Sequence, residues 1–278
     1  MDSFINQAIQ EDIGEGDHSS LSTIPAELLG KAQLKIKESG VVAGLELAAE
    51  IFGKIDPLLS IDFFKKDGDK VGVGEIAFEV KGQVRSILGA ERLVLNCMQR
   101  MSGIATYTNH LCELIEHTGA KILDTRKTTP NLRPLEKWAV IIGGGANHRF
   151  ALYDMIMLKD NHIDYSGGIT NAITSANEYL DKTGKRLKIE VETRNLEEVA
   201  EVLVTRGADI VMLDNMDAAT IKRAVGLIDG KMKTEASGGI TEKNILEIAE
   251  SGVDYISIGA LTHSVKSLDM SLKAEIEK

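Results

Sequence analysis

Leu187-Lys188-Ile189-Glu190-Val191, Ile210-Val211-Met212-Leu213, Lys233-Thr234-Glu235-Ala236 and Tyr255-Ile256-Ser257-Ile258 are short apolar runs that recur roughly every 22 residues. That interval is close to the least that a strand, a helix and two turns can occupy. Helix starts fall between the runs: Asn195 before Leu196 and Val199, Asp217 before Ile221 and Val225, Thr241 before Ile245 and Ile248. Two earlier runs, Lys121-Ile122-Leu123-Asp124 and Met155-Ile156-Met157-Leu158, bring the series to six. Strands alternating with helices predict a parallel sheet, either doubly wound or closed as a barrel.

The first hundred residues have a different texture. Phe4, Ile5, Ala8, Ile9 and Ile13 repeat at helical spacing, which predicts a helix over 2–13. Ala32 to Lys37 alternates apolar with polar, as a strand with one wet face does, and Leu45 to Ile55 returns to helical spacing. Leu59–Lys65, Glu75–Val80 and Gln83–Leu88 read as short strands, punctuated by Asp67-Gly68-Asp69 and Lys81-Gly82 turns. A helix is expected over 91–116 with a break near Ser102-Gly103, and the boundary between halves is placed there: an N-terminal domain at 1–103 and a catalytic domain at 104–278.

With 43% apolar and 27% charged residues, the chain of 278 residues is long enough to bury a substantial core, and disorder is not expected. The Met1-Asp2-Ser3 opening runs into Glu11-Asp12 without the basic start and apolar stretch of a signal peptide, and no window suits a membrane span. Two cysteines, Cys97 and Cys112, cannot make a disulfide framework, so a reduced, cytoplasmic protein is expected. The formal charge of −10 argues against nucleic acid as a partner. Residues 121–165 nevertheless carry seven Lys/Arg against five Asp/Glu, a local +2 that leaves −12 for the rest. A cationic segment in an acidic protein suits a small anion.

In parallel barrels the site is built at the carboxyl ends of the strands. Here the ends supply Asp124-Thr125-Arg126-Lys127-Thr128, Lys159-Asp160-Asn161-His162, Glu192, Asp214-Asn215, Ser237-Gly238-Gly239 and Gly259 through His263. Any one of these could be a solvated cap; six in register point to a site. The two glycine ends offer bare amides, and with a helix N-terminus form a cradle for a phosphomonoester. Glu192 and Asp214 can accept hydrogen bonds from vicinal hydroxyls or face Mg²⁺. Glu190 shares the face of Glu192 and points into the barrel, where a buried ion pair is the equal alternative. Arg126, Lys127, Lys159 and the His148-Arg149 pair after Gly143-Gly144-Gly145 form a cationic pocket for carboxylate and phosphate.

These motifs, with Arg100-Met101-Ser102-Gly103-Ile104-Ala105-Thr106 and Glu11 through Asp17, closely resemble the quinolinate phosphoribosyltransferase family, over essentially the whole chain. Asn131 and Trp138 are small departures, where the family often has Gly and Tyr. The resemblance implies an open N-terminal α/β sandwich followed by an incomplete, about seven-stranded parallel α/β barrel, one strand more than the six runs above, with the last residues able to pack back on the N-terminal domain. It implies decarboxylating transfer of a phosphoribosyl group to quinolinate in NAD biosynthesis. It assigns Arg126, Lys127, His148, Arg149 and Lys159 to the quinolinate carboxylates and the donor's pyrophosphate, Glu192 and Asp214 to the ribose hydroxyls and the region of Mg²⁺, and Ser237, Gly238, Gly239 and Gly259 to the 5′-phosphate with His263 nearby. Lys127, Lys159, Glu192 and Asp214 are the implied catalytic groups. Arg92 would reach the substrate from a neighbouring subunit, implying a homodimer with shared sites.

Two other enzyme readings fit the same residues. A related phosphoribosyltransferase could use another acid, and would differ in whether carbon dioxide is released. A Schiff-base aldolase barrel would use Lys127 or Lys159 as nucleophile and be trapped by borohydride. A phosphate-ligand sensor would bind the sugar phosphate without releasing pyrophosphate.

Overall fold

The computed structural model describes residues 1–275 and divides into two compact units. One comprises Met1–Asn109, Thr128–Gly144 and the chain from Leu261 onward; the other comprises His110–Lys127 and Gly145–Ala260. The last three positions of the sequence-derived catalytic domain lie outside the described residues.

The first unit is built on an antiparallel sheet in the order Met270–Glu275, Leu29–Ile36, Ile76–Gln83, Ser60–Phe63. The alternation seen at Ala32 is real: Ala32, Leu34 and Ile36 are buried while the residues between them are partly exposed. Helix Leu45–Ile55 covers that apolar face, with Phe52 edge-on to Phe78 at 5.9 Å between ring centroids. Strand Met270–Glu275 pairs with Leu29–Ile36, residues the chain left some 240 positions earlier, so nothing local announces it.

The expected strand over Gln83–Leu88 is instead the start of a 31-residue helix, Val84–Leu114, which runs unbroken through Ser102-Gly103. Ile87, Ala90, Val94, Met98, Met101 and Ala105 are all buried along it, a helical period that the short 83–88 window was too brief to show. Ser102 and Gly103 have packing roles. The Ser102 hydroxyl accepts from Ala43 N at 2.8 Å, and a Cβ on Gly103 would meet the Lys266 carbonyl at 2.1 Å. A buried network fixes the next segment of this unit: Arg100 donates to Glu136 Oε1 at 2.8 and 2.6 Å and to Thr129 Oγ1 at 2.8 Å, and Glu136 is 0% exposed.

The second unit is a parallel sheet with, among the described residues, six strands in the order Lys121–Leu123, Tyr255–Ser257, Lys233–Ser237, Ile210–Asp214, Ile189–Thr193, Ile156–Leu158. All six runs read from the sequence are strands. Outside these six, Leu123 also makes a single-residue parallel bridge with Ala146. The Ile189–Thr193 strand is buried throughout, as a parallel strand covered on both faces must be. Asn195 and Asp217 cap their helices by accepting from Glu198 N and Thr220 N. Thr241 does not cap: helix Ile245–Glu250 begins after Asn244, whose side chain accepts the Thr241 N–H at 2.7 Å.

That this sheet is rolled follows from one residue. Asp124 and Glu190 belong to strands four places apart, roughly 19 Å in a flat sheet. Yet Asp124 Oδ1 accepts the His148 N–H at 2.9 Å, and Glu190 Oε2 lies 2.9 Å from His148 Nε2. The sheet is therefore curled around a shared interior, with every strand delivering its carboxyl end to the same rim.

Candidate active site

Parallel pairing places Glu192, Asp214 and Ser237 on one rim, because Glu192 registers with Met212 and Asp214 with Ser237. Lys159, just after the Ile156–Leu158 strand, donates to Glu192 Oε2 at 3.2 Å. Its backbone N–H is accepted by His162 Nδ1 at 3.0 Å. In the Lys159-Asp160-Asn161-His162 run, His162 thus fixes the turn that aims the lysine. Burial and the adjacent Glu192 carboxylate hold the Asp214 carboxyl above its ordinary range, against the pull of Asn215 and Lys159. Two carboxylates crowded at one edge suit a cation or hydroxyl donors.

The glycine loop follows Ser237. Gly238 and Gly239 have φ of +87° and +63°, a left-handed backbone that glycine adopts readily and that leaves their amides uncovered by side chains. The expected helix N-terminus is not there, since the Thr241–Asn244 turn intervenes before Ile245. Gly238 is also forced by packing: a Cβ would meet Asn215 Oδ1 at 2.3 Å and Asn215 N at 2.9 Å. Gly238→Ala is expected to destabilise the protein by roughly 1–3 kcal/mol and to weaken binding of a sugar phosphate, read from the denaturation midpoint and a phosphate-donor titration. Gly239→Ala, which meets no neighbour within 4 Å, is expected to cost less.

The cations arrive from the other end of the strand series. Arg126 and Lys127 are exposed after the Lys121–Leu123 strand. Arg149 is partly buried: burial and then Arg126 disfavour its charge, with Glu190 and Asp154 acting in its favour. Two guanidiniums sharing a field call for an anion. Asp124, which the sequence placed at a strand end among functional groups, is 0% exposed and spends its carboxylate on the His148 backbone. It positions the loop.

His148 sits deepest. Its side chain is 6% exposed, with Nε2 2.9 Å from Glu190 Oε2 and 3.3 Å from Glu235 Oε2. Burial opposes the charged ring, but the two carboxylates outweigh it and push the imidazole up to about 10. Arg149 N also approaches Nδ1 at 2.7 Å, a bond that only a neutral ring accepts. The two carboxylates favour the charged ring, while the Arg149 N–H favours a neutral ring protonated at Nε2. For Glu190 the structure holds a buried contact with the His148 ring rather than a free inward carboxylate. Glu235 was quoted within a motif without a role; its sharing a strand face with Ser237 was the available signal.

Gly259 stands between Ser257 at the rim and the short helix Ala260–His263. Arg92, exposed on helix Val84–Leu114, and His263, whose Nδ1 lies 2.6 Å from Ser264 Oγ, belong to the other unit. That unit also has a cavity of about 430 Å³ lined in part by Phe4, Cys97, Leu135 and the mutually satisfied Arg100 and Glu136. Its Arg100 and Glu136 are spent on each other.

A rolled parallel sheet whose rim gathers guanidiniums, lysines, paired carboxylates and bare glycine amides defines an α/β-barrel enzyme site for a polyanionic, phosphorylated substrate. Comparison with known proteins makes this particular. Residues 17–102 match the family description "Quinolinate phosphoribosyl transferase, N-terminal domain" and residues 104–273 its "C-terminal domain". The chain is 49% identical to the "Nicotinate-nucleotide pyrophosphorylase [carboxylating], chloroplastic" of Oryza sativa subsp. japonica, over 98% of this chain and 77% of that protein. It is 44% identical to the "Probable nicotinate-nucleotide pyrophosphorylase [carboxylating]" of Bacillus subtilis (strain 168), over 96% and 91%. The crystal structure of NadC from Streptococcus pyogenes superimposes with a TM-score of 0.93 at 41% identity, covering 98% of this chain and 95% of that one. The chain belongs to the quinolinate phosphoribosyltransferase family.

Proposed function

We propose that the chain transfers the 5-phosphoribosyl group of 5-phosphoribosyl 1-pyrophosphate to the ring nitrogen of quinolinate, releasing pyrophosphate and carbon dioxide and forming nicotinate mononucleotide for NAD biosynthesis. The observation that carries this reading is the common rim: cations for a diacid, carboxylates for a pentose and glycine amides for its phosphate end on one edge of one sheet.

Glu192 and Asp214 would hold the ribose hydroxyls and the Mg²⁺ of the donor, which would neutralise its pyrophosphate. Ser237, Gly238, Gly239 and Gly259 cradle the 5′-phosphate. Arg126, Arg149 and His148 take the two carboxylates of quinolinate. The nitrogen then displaces pyrophosphate at the anomeric carbon through an oxocarbenium-like transition state. Lys127 and Lys159 stabilise the departing charge, and Glu192 with Asp214 offsets positive charge growing on the sugar. Such a step asks mainly for alignment and for charge set in advance. The ribosylated nitrogen is cationic. It draws in the electron pair as the adjacent carbon–carboxylate bond breaks, and the ring carbon then takes up a proton. Lys159 is exposed and bonded to Glu192, unlike the desolvated amine that a Schiff-base reading needs.

Arg92, exposed on its helix, fits a residue lent across a homodimer to the partner's site. Unpaired Cys97 and Cys112 fit work in the cytoplasm. No helix among the described residues is long and apolar enough to cross a membrane.

Incubation with quinolinate, the donor and Mg²⁺ is expected to yield nicotinate mononucleotide by mass; its absence with active protein would sink the reading. Arg126→Ala is expected to raise KM for quinolinate by about tenfold or more, the loss of a bidentate carboxylate contact, and to leave KM for the sugar donor within about twofold. Equal, small changes in both would remove Arg126 from the carboxylate pocket.

A further inference from the structure

Four non-glycine residues of the described chain have positive φ: Asn131, Arg206, Asn215 and Asp229. Arg206 and Asp229 stop the helices Leu196–Thr205 and Ala218–Ile228, the usual place for a left-handed residue. Asn131 lies in the turn that opens helix Arg133–Ile142. Asn215 ends no helix. It stands at φ +54° directly after the strand Ile210–Asp214, on the rim. A non-glycine residue in this region is held there by its surroundings, and such residues gather at binding sites.

What holds Asn215 is the rim itself. Its N–H donates to the Ser237 carbonyl at 2.8 Å, which carries the pairing of the two strands one residue past Asp214. Its side chain folds back on both neighbours. Nδ2 donates to Asp214 Oδ2 at 2.6 Å. On the other side the carboxamide lies against Gly238, where a Cβ would come within 2.3 Å of Oδ1 and 2.6 Å of Cγ. One side chain is thus wedged between the carboxylate that ends one strand and the glycine loop that follows the next.

A pentose phosphate presents its hydroxyls and its phosphate at a span fixed by its own bonds. Two subsites grip such a ligand together only when the protein holds them at that span; if one drifts, the advantage of joining them is lost. A carboxylate at a strand end can turn about its side-chain bonds, and glycine is the freest of backbones. Asn215 restrains both. We propose that Asn215 is a positioning residue for the sugar donor, which sets the Asp214 carboxylate against the Gly238–Gly239 loop so that the hydroxyls and the 5′-phosphate of one pentose are gripped together. This deepens the proposed function and rests on its reading of the rim as the sugar-phosphate site. The carboxamide acts through Asp214 and the loop.

The test titrates ribose 5-phosphate and inorganic phosphate into the whole chain by calorimetry, in metal-free buffer. The unaltered protein is expected to bind the sugar phosphate about tenfold or more tightly than inorganic phosphate. Asn215→Gly takes φ +54° without strain, so the variant should fold with a denaturation midpoint near that of the unaltered protein. Its affinity for ribose 5-phosphate should drop about tenfold, the loss of one hydrogen bond to a charged group, while inorganic phosphate binds within about twofold. Asn215→Asp tolerates the same backbone. It has no donor and sets a like charge beside Asp214, so it should lose as much. With Asp214→Ala already made, Asn215→Gly should change ribose 5-phosphate binding by less than about twofold. In turnover, Asn215→Gly should raise KM for the donor about tenfold and leave KM for quinolinate within about twofold. Ribose 5-phosphate bound by Asn215→Gly as tightly as by the unaltered protein overturns the proposal. So does an equal loss for both ligands, which a residue that merely shapes the glycine loop would give. A further loss of about tenfold in the Asp214→Ala background also overturns it, because Asn215 would then act by itself. If the unaltered protein binds ribose 5-phosphate no more tightly than inorganic phosphate, the rim is not the sugar-phosphate site, and the underlying reading fails before the role of Asn215 is reached.

Discussion

Lys159→Ala is expected to lower kcat by about 10²- to 10³-fold, the usual loss when one preorganised charge aimed at a developing anion is removed. The expectation comes from where the lysine is held. Its ammonium lies 3.2 Å from Glu192, and its backbone is clamped by His162 Nδ1 at 3.0 Å. The bond to Glu192 draws the ammonium to the rim, where it is placed in advance of the departing charge. Its removal also leaves Glu192 facing Asp214 without a counter-charge. Asp214 already stands above the ordinary carboxylate range through burial and then through Glu192, and it should move further up. The variant should therefore lose activity further at the acid end, where Asp214 protonates and no longer supports the sugar cation. Single-turnover rates across pH 5–8 would show both effects. A kcat within threefold of the unaltered enzyme, in a protein with an unchanged denaturation midpoint, would remove Lys159 from the leaving-group step.

The strands of the second unit were legible because a strand covered on both faces must be apolar throughout and can turn polar only where it surfaces. Ile210-Val211-Met212-Leu213 followed by Asp214 is such a run, and all four of its apolar residues are buried. The first unit was less legible. Six residues at 83–88 fit a strand locally, and only the buried series from Ile87 to Ala105 shows the helical period. Gly103 read as a break because close packing against Lys266, 163 positions later, leaves no local trace. The rim could be anticipated because strand ends and site coincide in a parallel barrel. The floor beneath it could not. Glu235 and Glu190 lie 45 positions apart, and their convergence on His148 depends on how tightly the sheet rolls. Arg100 stood inside a quoted motif, yet its partners Glu136 and Thr129 lie 36 and 29 residues away.

The buried trio also sets how stability depends on pH. The two carboxylates raise His148 from an ordinary 6.5 to about 10 in the folded chain. A group whose proton is held more tightly when folded contributes stability that is complete below its unfolded value and is lost as the pH rises through its folded value. Glu190 acts in the same direction at lower pH: burial, and then Glu235, lift its carboxyl from 4.5 to about 7, so ionising it also costs the folded state. Stability should therefore decline from about pH 6.5 toward pH 10 by roughly 3–5 kcal/mol, because each pH unit that separates the folded from the unfolded value is worth about 1.4 kcal/mol. Urea midpoints measured from pH 6 to pH 10 would show it. His148→Gln should lower stability at pH 8, where Glu190 is ionised and has lost its partner, yet flatten the decline above that pH. Equal slopes in the two proteins would mean that some group other than this trio governs the alkaline limb.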